Sequence, residues 1–366
     1  MRTNHKSISL HAPLAIALLA LPFIIDALFG HGWVRIADFA LLYIMLALGL
    51  NIVVGYAGLL DLGYIAFFAV GAYTYALLGS PQFGLHWPMY VVLPLGALIA
   101  CGFGVLLGAP TLKLRGDYLA IVTLGFGEII RIFLNNLNAP VNITNGPQGI
   151  SAIDPLQIGS FSFGSSYEWM GVRVDDVHLH YYLFLAFTLL VIFVSRRLED
   201  SRIGRAWVAI REDEVAASAM GINTRNIKLL AFAMGATFGG ISGGLFAGFQ
   251  GFVSPESFSL MESIMVLCMV VLGGMGNVGG VVLGGVLLVA LPELFRNAAG
   301  PVQQMLLGKV VVDPESLRML MFGLALILVM LWRPAGIWPS TQRRREFDAD
   351  DSVLHQEQET VYDASK

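Results

Sequence analysis

The sequence predicts an all-α polytopic membrane protein with about ten transmembrane helices, and three observations predict it. Of 366 residues, 56% are apolar and only 13% are charged, too apolar a balance for an ordinary soluble globule. The runs between charges repeatedly reach the roughly 20 residues that an α-helix needs to cross about 30 Å of hydrocarbon. Barrel strands would instead alternate in polarity over about 10 residues. The net charge of −4 says little by itself, because charges in such a protein are sorted by side.

In chain order the predicted spans are Ala12–Phe29, Ile36–Val54, Leu59–Leu78, Pro88–Ala109, Tyr118–Asn136, Leu179–Ser195, Leu229–Gln250, Leu260–Gly274, Val278–Phe295 and Ser316–Trp332. The first follows Arg2 and Lys6 and superficially resembles a secretory signal. Its length, Pro13 and Pro22, and the lack of a small-x-small cleavage site before Asp26 favour a retained span. Cys101 and Cys268 each sit inside an apolar run without a companion at metal or redox spacing, and read as buried packing residues.

Lys and Arg collect in cytoplasmic connections when spans alternate strictly. With the N-terminus inside, those connections hold Arg2, Lys6, Lys113, Arg115, Arg196, Arg197, Arg202, Arg205, Arg211, Arg225, Lys228, Arg333 and Arg343 to Arg345. Only Arg35, Arg173, Arg296, Lys309 and Arg318 fall outside or at outer span ends. The asymmetry predicts an even number of spans with both termini in the cytoplasm. Residues 1–345 then form one transmembrane domain, with an outer loop at 137–178 and a cytoplasmic segment at 196–228. The polar, acidic residues 346–366 form a disordered tail. The Gly-rich stretch Leu260–Phe295 admits two short spans with a tight turn, or re-entrant segments. A weak echo between Gly58–Asp61 and Gly251–Glu256 suggests two inverted five-helix halves, a common transporter plan.

The segment Arg196–Lys228 is the longest charged stretch between apolar spans. Glu212 to Met220 fits one short helix, with Glu212, Asp213 and Glu214 at the first turn, where the helix dipole favours negative charge. Gly221 suits the left-handed position that follows. Val215, Ala216, Ala219 and Met220 share a narrow apolar face at i, i+4 spacing, while Ser218 points elsewhere. So short a helix is not stable alone, and the face calls for a receiver.

Polar groups within spans face protein or water, so Asp61, Glu128, Arg131 and Glu262 are candidate pathway residues. Glu128 and Arg131, at i, i+3, can pair on one helix face, which equally describes a structural bridge. Asp61 is expected near the inner boundary as a cap or gate, and Glu262 just inside the outer boundary. In the seventh span Gly235, Gly239 and Gly243 form one row and Gly240, Gly244 and Gly248 a second, which allows close helix approach as static packing or as a sliding interface. There is no G-x-x-x-x-G-K-[ST] loop, no metal-spaced His/Cys cluster and no nucleophile elbow. No catalytic residue, cofactor, metal site or nucleic-acid partner is expected.

Six segments together resemble the LivM-type permease subunits of bacterial branched-chain amino acid ABC importers. They are GYAGLLDLGYIAFFAVGAY from Gly55, LRGDYLAIVTLGFGEIIRI from Leu114, GRAWVAIREDEVAASAMGI from Gly204, GFVSPESF from Gly251, VVLGGMGNVGG from Val270 and WRPAGI from Trp332. One departure is Asn145, where that family more often has Gly; Asn also tolerates a left-handed turn, so the same turn shape is expected. The resemblance implies a bacterial inner-membrane permease paired with a second related permease. Each would dock one cytoplasmic ABC ATPase, and a periplasmic binding protein would deliver Leu, Ile or Val. In that frame Arg205, Arg211, Glu212, Asp213, Val215, Ala216, Ala219, Met220 and Gly221 form the ATPase-coupling element. Related permeases carry urea, amides or other amino acids. A stand-alone ion-coupled transporter is the rival class, and it leaves Arg196–Lys228 without a purpose.

Overall fold

A computed structural model of the chain describes residues 5–112, 114, 116–169, 172–307, 313, 320, 323–324, 327–328, 331–333 and 336–339. The predicted tenth span Ser316–Trp332 falls mostly outside the described residues, and the tail 346–366 wholly so. The apolar runs form α1 (His5–Phe29), α2 (His31–Asn51), α3 (Ile65–Leu78), α4 (Met89–Thr111), α5 (Asp117–Asn136), α6 (Asp176–Glu199), α9 (Thr224–Gln250), α10 (Leu260–Gly273) and α11 (Val278–Leu307). Between α6 and α9 lie two short helices, α7 (Arg202–Glu212) and α8 (Glu214–Ala219). Among the described residues five helical stretches are long and apolar enough to cross a membrane: His31–Tyr56, Met89–Thr111, Asp176–Glu199, Thr224–Gln250 and Val278–Met305. Three shorter apolar helices accompany them, Ala17–Phe29, Ile65–Leu78 and Leu260–Gly273.

The predicted span Leu59–Leu78 needs correction, because its helix starts only at Ile65. Helix α2 instead ends in a π turn, Ile52–Tyr56, and the chain then runs without helix to Tyr64. Local partners serve this stretch: the Leu59 N–H donates to Val53 O at 3.0 Å, and the Gly63 N–H to Asp61 Oδ1 at 2.9 Å. Irregular backbone survives among apolar helices only where protein satisfies and covers it. Asp61 is fully buried, as that demands.

Helix α9 runs through the centre, and its glycine rows meet different neighbours. A Cβ at Gly235 would lie 2.7 Å from Val53 Cγ2, one at Gly239 3.1 Å from Phe67 Cβ, and one at Gly243 2.0 Å from Phe68 O. That row therefore packs on α2 and α3. In the second row a Cβ would lie 2.6 Å from Ala100 Cβ at Gly240 and 2.6 Å from Leu93 at Gly244, both on α4, and 2.6 Å from Leu156 at Gly248. The Gly-rich stretch after Leu260 forms a hairpin in which α10 and α11 run back to back through Gly273, Gly280 and Gly284.

The segment from Leu137 to Asp175 is built of short turns and strands. A 3-10 turn at Gly146–Gln148 leads into β1 (Ile150–Ser151). This strand pairs antiparallel with β6 (Phe252–Val253), tying the segment to the end of α9. Between them lie two small hairpins, β2 (Gln157–Ile158) with β3 (Phe161–Ser162), and β4 (Tyr167–Trp169) with β5 (Val172–Val174). Asn145 takes the expected left-handed conformation, φ 61°, and its side chain donates to Gly149 O at 2.9 Å. Cys101 and Cys268 are half-buried free thiols, less enclosed than the buried packing residues expected.

Candidate functional site

Two features of the sequence converge at the end of the bundle that carries α7 and α8. Helix α7 starts at Ser201, whose Oγ accepts the Gly204 N–H at 3.1 Å, an N-cap. Its inner face is Trp207 and Ile210. Trp207 is fully buried and its Nε1–H donates to Ile227 O at 2.8 Å. Arg205 lies on the outer face, hydrogen-bonded to Asp200 O at 2.8 Å. At the end of α7, Arg211 reaches the π turn of α2 and donates to Gly55 O at 2.7 Å. Gly58, at φ 67°, lies beneath Arg211, where a Cβ would meet Arg211 Cγ at 2.7 Å. The two segments border a cavity of about 240 Å³ together with Leu114, Glu214 and Lys228.

The single helix expected over Glu212–Met220 is broken at Asp213, and the reason is the capping chemistry of that residue. Asp213 leaves helical geometry at φ −153°, ψ 109°, and its Oδ1 accepts the N–H groups of Val215 at 2.8 Å and Ala216 at 3.0 Å. It therefore ends α7 and starts α8, with exposed Glu212 on one side and half-buried Glu214 on the other. Glu214 forms an ion pair at 2.5 Å with Lys228, which is 4% exposed. Helix α8 faces the protein through buried Ala217, and Gly221 ends it at φ 87° as expected. Val215 and Met220 are 67% and 77% exposed, and Ala216 and Ala219 are exposed beside them, so the apolar face is bare.

Lys228 explains why so short a helix stays docked. Lys228→Met removes a charged hydrogen bond from a protected site, a loss of about 2 kcal/mol. Limited proteolysis between Asp213 and Asn223 is expected to speed up roughly 30-fold, since local opening scales with that free energy.

A second cluster lies where α3 and α10 begin. Ser263 Oγ donates to Leu62 O at 2.6 Å, and the Leu62 N–H donates to Thr123 Oγ1 on α5 at 3.0 Å. Asp61 sits next to this junction, and its Oδ2 is a buried acceptor without a hydrogen-bond partner among the described residues. Glu262 accepts a 2.7 Å hydrogen bond from Tyr43, which lies near the middle of α2. Helix α10, only 14 residues long, therefore starts level with the middle of α2. Helix α3 is also 14 residues long and runs the opposite way, toward the 137–175 segment, where Asp154 N–H donates to Gly79 O at 2.6 Å. Helix α10 runs toward the π turn, where Asn51 Oδ1 accepts the Gly276 N–H at 2.9 Å.

Glu128 and Arg131 pair on α5 as their spacing predicts, with Arg131 Nε 3.1 Å from both carboxylate oxygens. Arg131 also donates through Nη1 to Glu256 at 3.1 Å, and Asn135 donates to the same carboxylate at 3.4 Å. Glu128 borders a cavity of only about 10 Å³ with Leu62 and Gly127. The structure thus gathers Asp61 and Glu262 around one junction and puts Glu128 and Arg131 beside it. Glu256, Ser263, Thr123, Lys228 and Trp207 were missed as contributors. Only the motif containing Glu256 and the lone tryptophan in a charged stretch signalled any of them.

Residues 32–330 match the family model described as branched-chain amino acid transport system, permease component. The chain is 44% identical over 339 residues to the high-affinity branched-chain amino acid transport system permease protein LivM of Escherichia coli K12, covering 89% of this chain and 75% of that one. To the protein of the same name from Salmonella typhimurium it is 45% identical over 352 residues, covering 93% and 76%. A more distant likeness, 27% over 301 residues covering 81% and 90%, is to the E. coli permease protein LivH. No solved structure matches the chain.

Proposed function

We propose a transport function on the premise that the chain belongs to the family of branched-chain amino acid transport system permease components: it is the membrane-spanning subunit of an ABC importer that carries leucine, isoleucine and valine into the cytoplasm. Hydrolysis of ATP belongs to separate chains, in keeping with a sequence that has no P-loop. The partners are a second, related permease, two cytoplasmic ATPases and a periplasmic amino acid-binding protein. Similarity to both LivM and LivH proteins supports the pairing of two distinct permeases. The assembly lies in the bacterial inner membrane with both termini of this chain in the cytoplasm, 137–178 outside and 196–228 inside.

One observation carries the reading. Helix α8 offers a bare apolar face outward, while the adjoining α7 holds the π turn of α2 through Arg211. An ATPase that moves this pair pulls on the backbone leading to Asp61 and the α3–α10 junction, so Arg205 to Gly221 act as the coupling element. Two short helices that start at one junction and run oppositely are the expected mark of inverted five-helix halves around a central binding site. Ten spans in two such halves, with Asp61, Glu128, Arg131 and Glu262 along the pathway, is the arrangement we adopt.

Reconstitution in vesicles with the partner chains tests the proposal. Uptake of Leu, Ile and Val is expected only with internal ATP and the binding protein present. Uptake driven by an ion gradient without the ATPases would overturn it in favour of a secondary transporter. Preference for urea, amides or other amino acids in the same panel would reassign the substrate. In the same vesicles Arg211→Ala is expected to lower uptake about tenfold, from a lost charged hydrogen bond of at least 1.4 kcal/mol, while the ATPases still co-purify. Normal uptake by that variant would remove Arg211 from the coupling path.

A further inference from the structure

At the end of the bundle opposite α7 and α8, three helices bring together Asp26 of α1, His31 at the start of α2 and His178 in the first turn of α6. One carboxylate oxygen and one ring nitrogen from each histidine all lie within 4.8 Å of one another. Asp26 Oδ1 is 3.1 Å from His31 Nδ1, and Asp26 Oδ2 is 3.5 Å from His178 Nε2. Ligands at the usual zinc distance of about 2.0–2.1 Å on a tetrahedron stand about 3.3 Å apart, so the two Asp26 contacts are already near that spacing and side-chain rotation has to close the remainder, from at most 4.8 Å.

His178 supplies an independent reason to look for a ligand. It is 1% exposed, stacks on Phe23 with ring centroids 4.9 Å apart, and has no hydrogen-bond partner at either ring nitrogen among the described residues. A buried polar ring left without partners costs free energy that a metal bond would offset. His31 is 60% exposed at its side chain, which leaves an entry route and an open coordination position. Its other nitrogen, Nε2, is 3.6 Å from Asp175 Oδ2. Carboxylates in that position commonly orient a metal-bound imidazole and raise its basicity. The close contacts of His31 with Asp26 and Asp175 by themselves give His178 no hydrogen bond.

We propose that Asp26, His31 and His178 bind a divalent transition-metal ion of the zinc class, oriented by Asp175, which fastens the end of α1 to α2 and α6. The site was invisible to spacing rules because its ligands come from three helices, with His31 and His178 standing 147 positions apart in the sequence.

The test uses the full chain in lipid nanodiscs, with an affinity tag free of histidine, stripped of metal and titrated with Co²⁺ followed by Zn²⁺. Expected are one equivalent of Co²⁺ per chain, the intense visible absorption of a tetrahedral ion, and its loss on adding Zn²⁺. His31→Gln and Asp26→Asn each weaken binding at least about tenfold, and Asp175→Asn weakens it about 10–100-fold. These residues are at least partly exposed, so the variants keep a folded background. His86→Gln, at an exposed histidine paired with Asp154 at 2.6 Å, leaves binding unchanged. Absence of saturable Co²⁺ binding in the unaltered chain, or equal binding by the His31 and Asp26 variants, overturns the proposal.

Discussion

Ala219→Glu is expected to abolish co-purification of the ATPase chains while leaving membrane insertion and yield unchanged. The reason starts with the size of α8. Its six residues bury only Ala217 against the protein, and the Asp213 cap with the Glu214–Lys228 pair supplies the rest of its hold. Val215, Ala216, Ala219 and Met220 are left facing outward, and on a helix residues three and four apart share one face. A partner pocket that accepts this face must be apolar and close-fitting, because the side chains are mostly small. A carboxylate at Ala219 would have to enter that pocket without a partner, at a cost of several kcal/mol. Each 1.4 kcal/mol is tenfold in affinity, so a loss of at least a hundredfold is expected. Because Ala219 touches water rather than the core, folding should not notice. Ser218→Glu, turned about a third of the way around the helix, is the control and should retain the ATPases. Retention by Ala219→Glu together with loss by Ser218→Glu would move the docking face to the other side of α8.

The same region shows where sequence reasoning holds and where it stops. Long apolar runs such as Thr224–Gln250 are legible because burial or lipid is the only place such a run can go. The glycine rows of α9 were legible from their spacing, and the left-handed turn at Asn145 from its side-chain chemistry. The break at Asp213 was not. Three consecutive acids suit a first helical turn, but Asp is also a strong N-cap, and only the docking of Trp207 below decides that α7 comes first and needs an end. The contact of Glu262 with Tyr43 was not legible either, because the two stand 219 positions apart and nothing local marks a helix that starts halfway along its neighbour. The start of α3 was placed too early for the same physical reason. Apolar content predicts where a chain is covered, whereas helix geometry at Leu59–Tyr64 is decided by which backbone groups find other partners.

That last stretch yields the second large effect: Gly63→Ala is expected to abolish uptake. Gly63 lies between the buried Asp61 and the start of α3, and its backbone is pressed against α5. A Cβ there would stand 1.9 Å from Thr123 O and 2.7 Å from Thr123 C. Both are helix backbone, so no side chain can swing aside, and either α5 or the Asp61 loop must move. The loop is the weaker of the two. It is held by Leu62 N–H to Thr123 Oγ1 at 3.0 Å and Ser263 Oγ to Leu62 O at 2.6 Å, and a shift that opens the contact with α5 breaks both. Two such bonds contribute about 2 kcal/mol together, and overpacking adds about 1–3 kcal/mol. The chain has many other helix contacts, so insertion and ATPase docking should survive, and the loss should appear in uptake and in a lowered unfolding temperature. Gly125→Ala on the same α5 helix meets nothing within 4 Å and should behave as the unaltered protein. If both variants transport normally, the junction of α3, α5 and α10 is only a packing site, and the pathway must be sought elsewhere in the bundle. If only Gly63→Ala fails while its ATPases remain bound, the defect lies between docking and translocation, where the Asp61 loop joins the π turn to the two short helices.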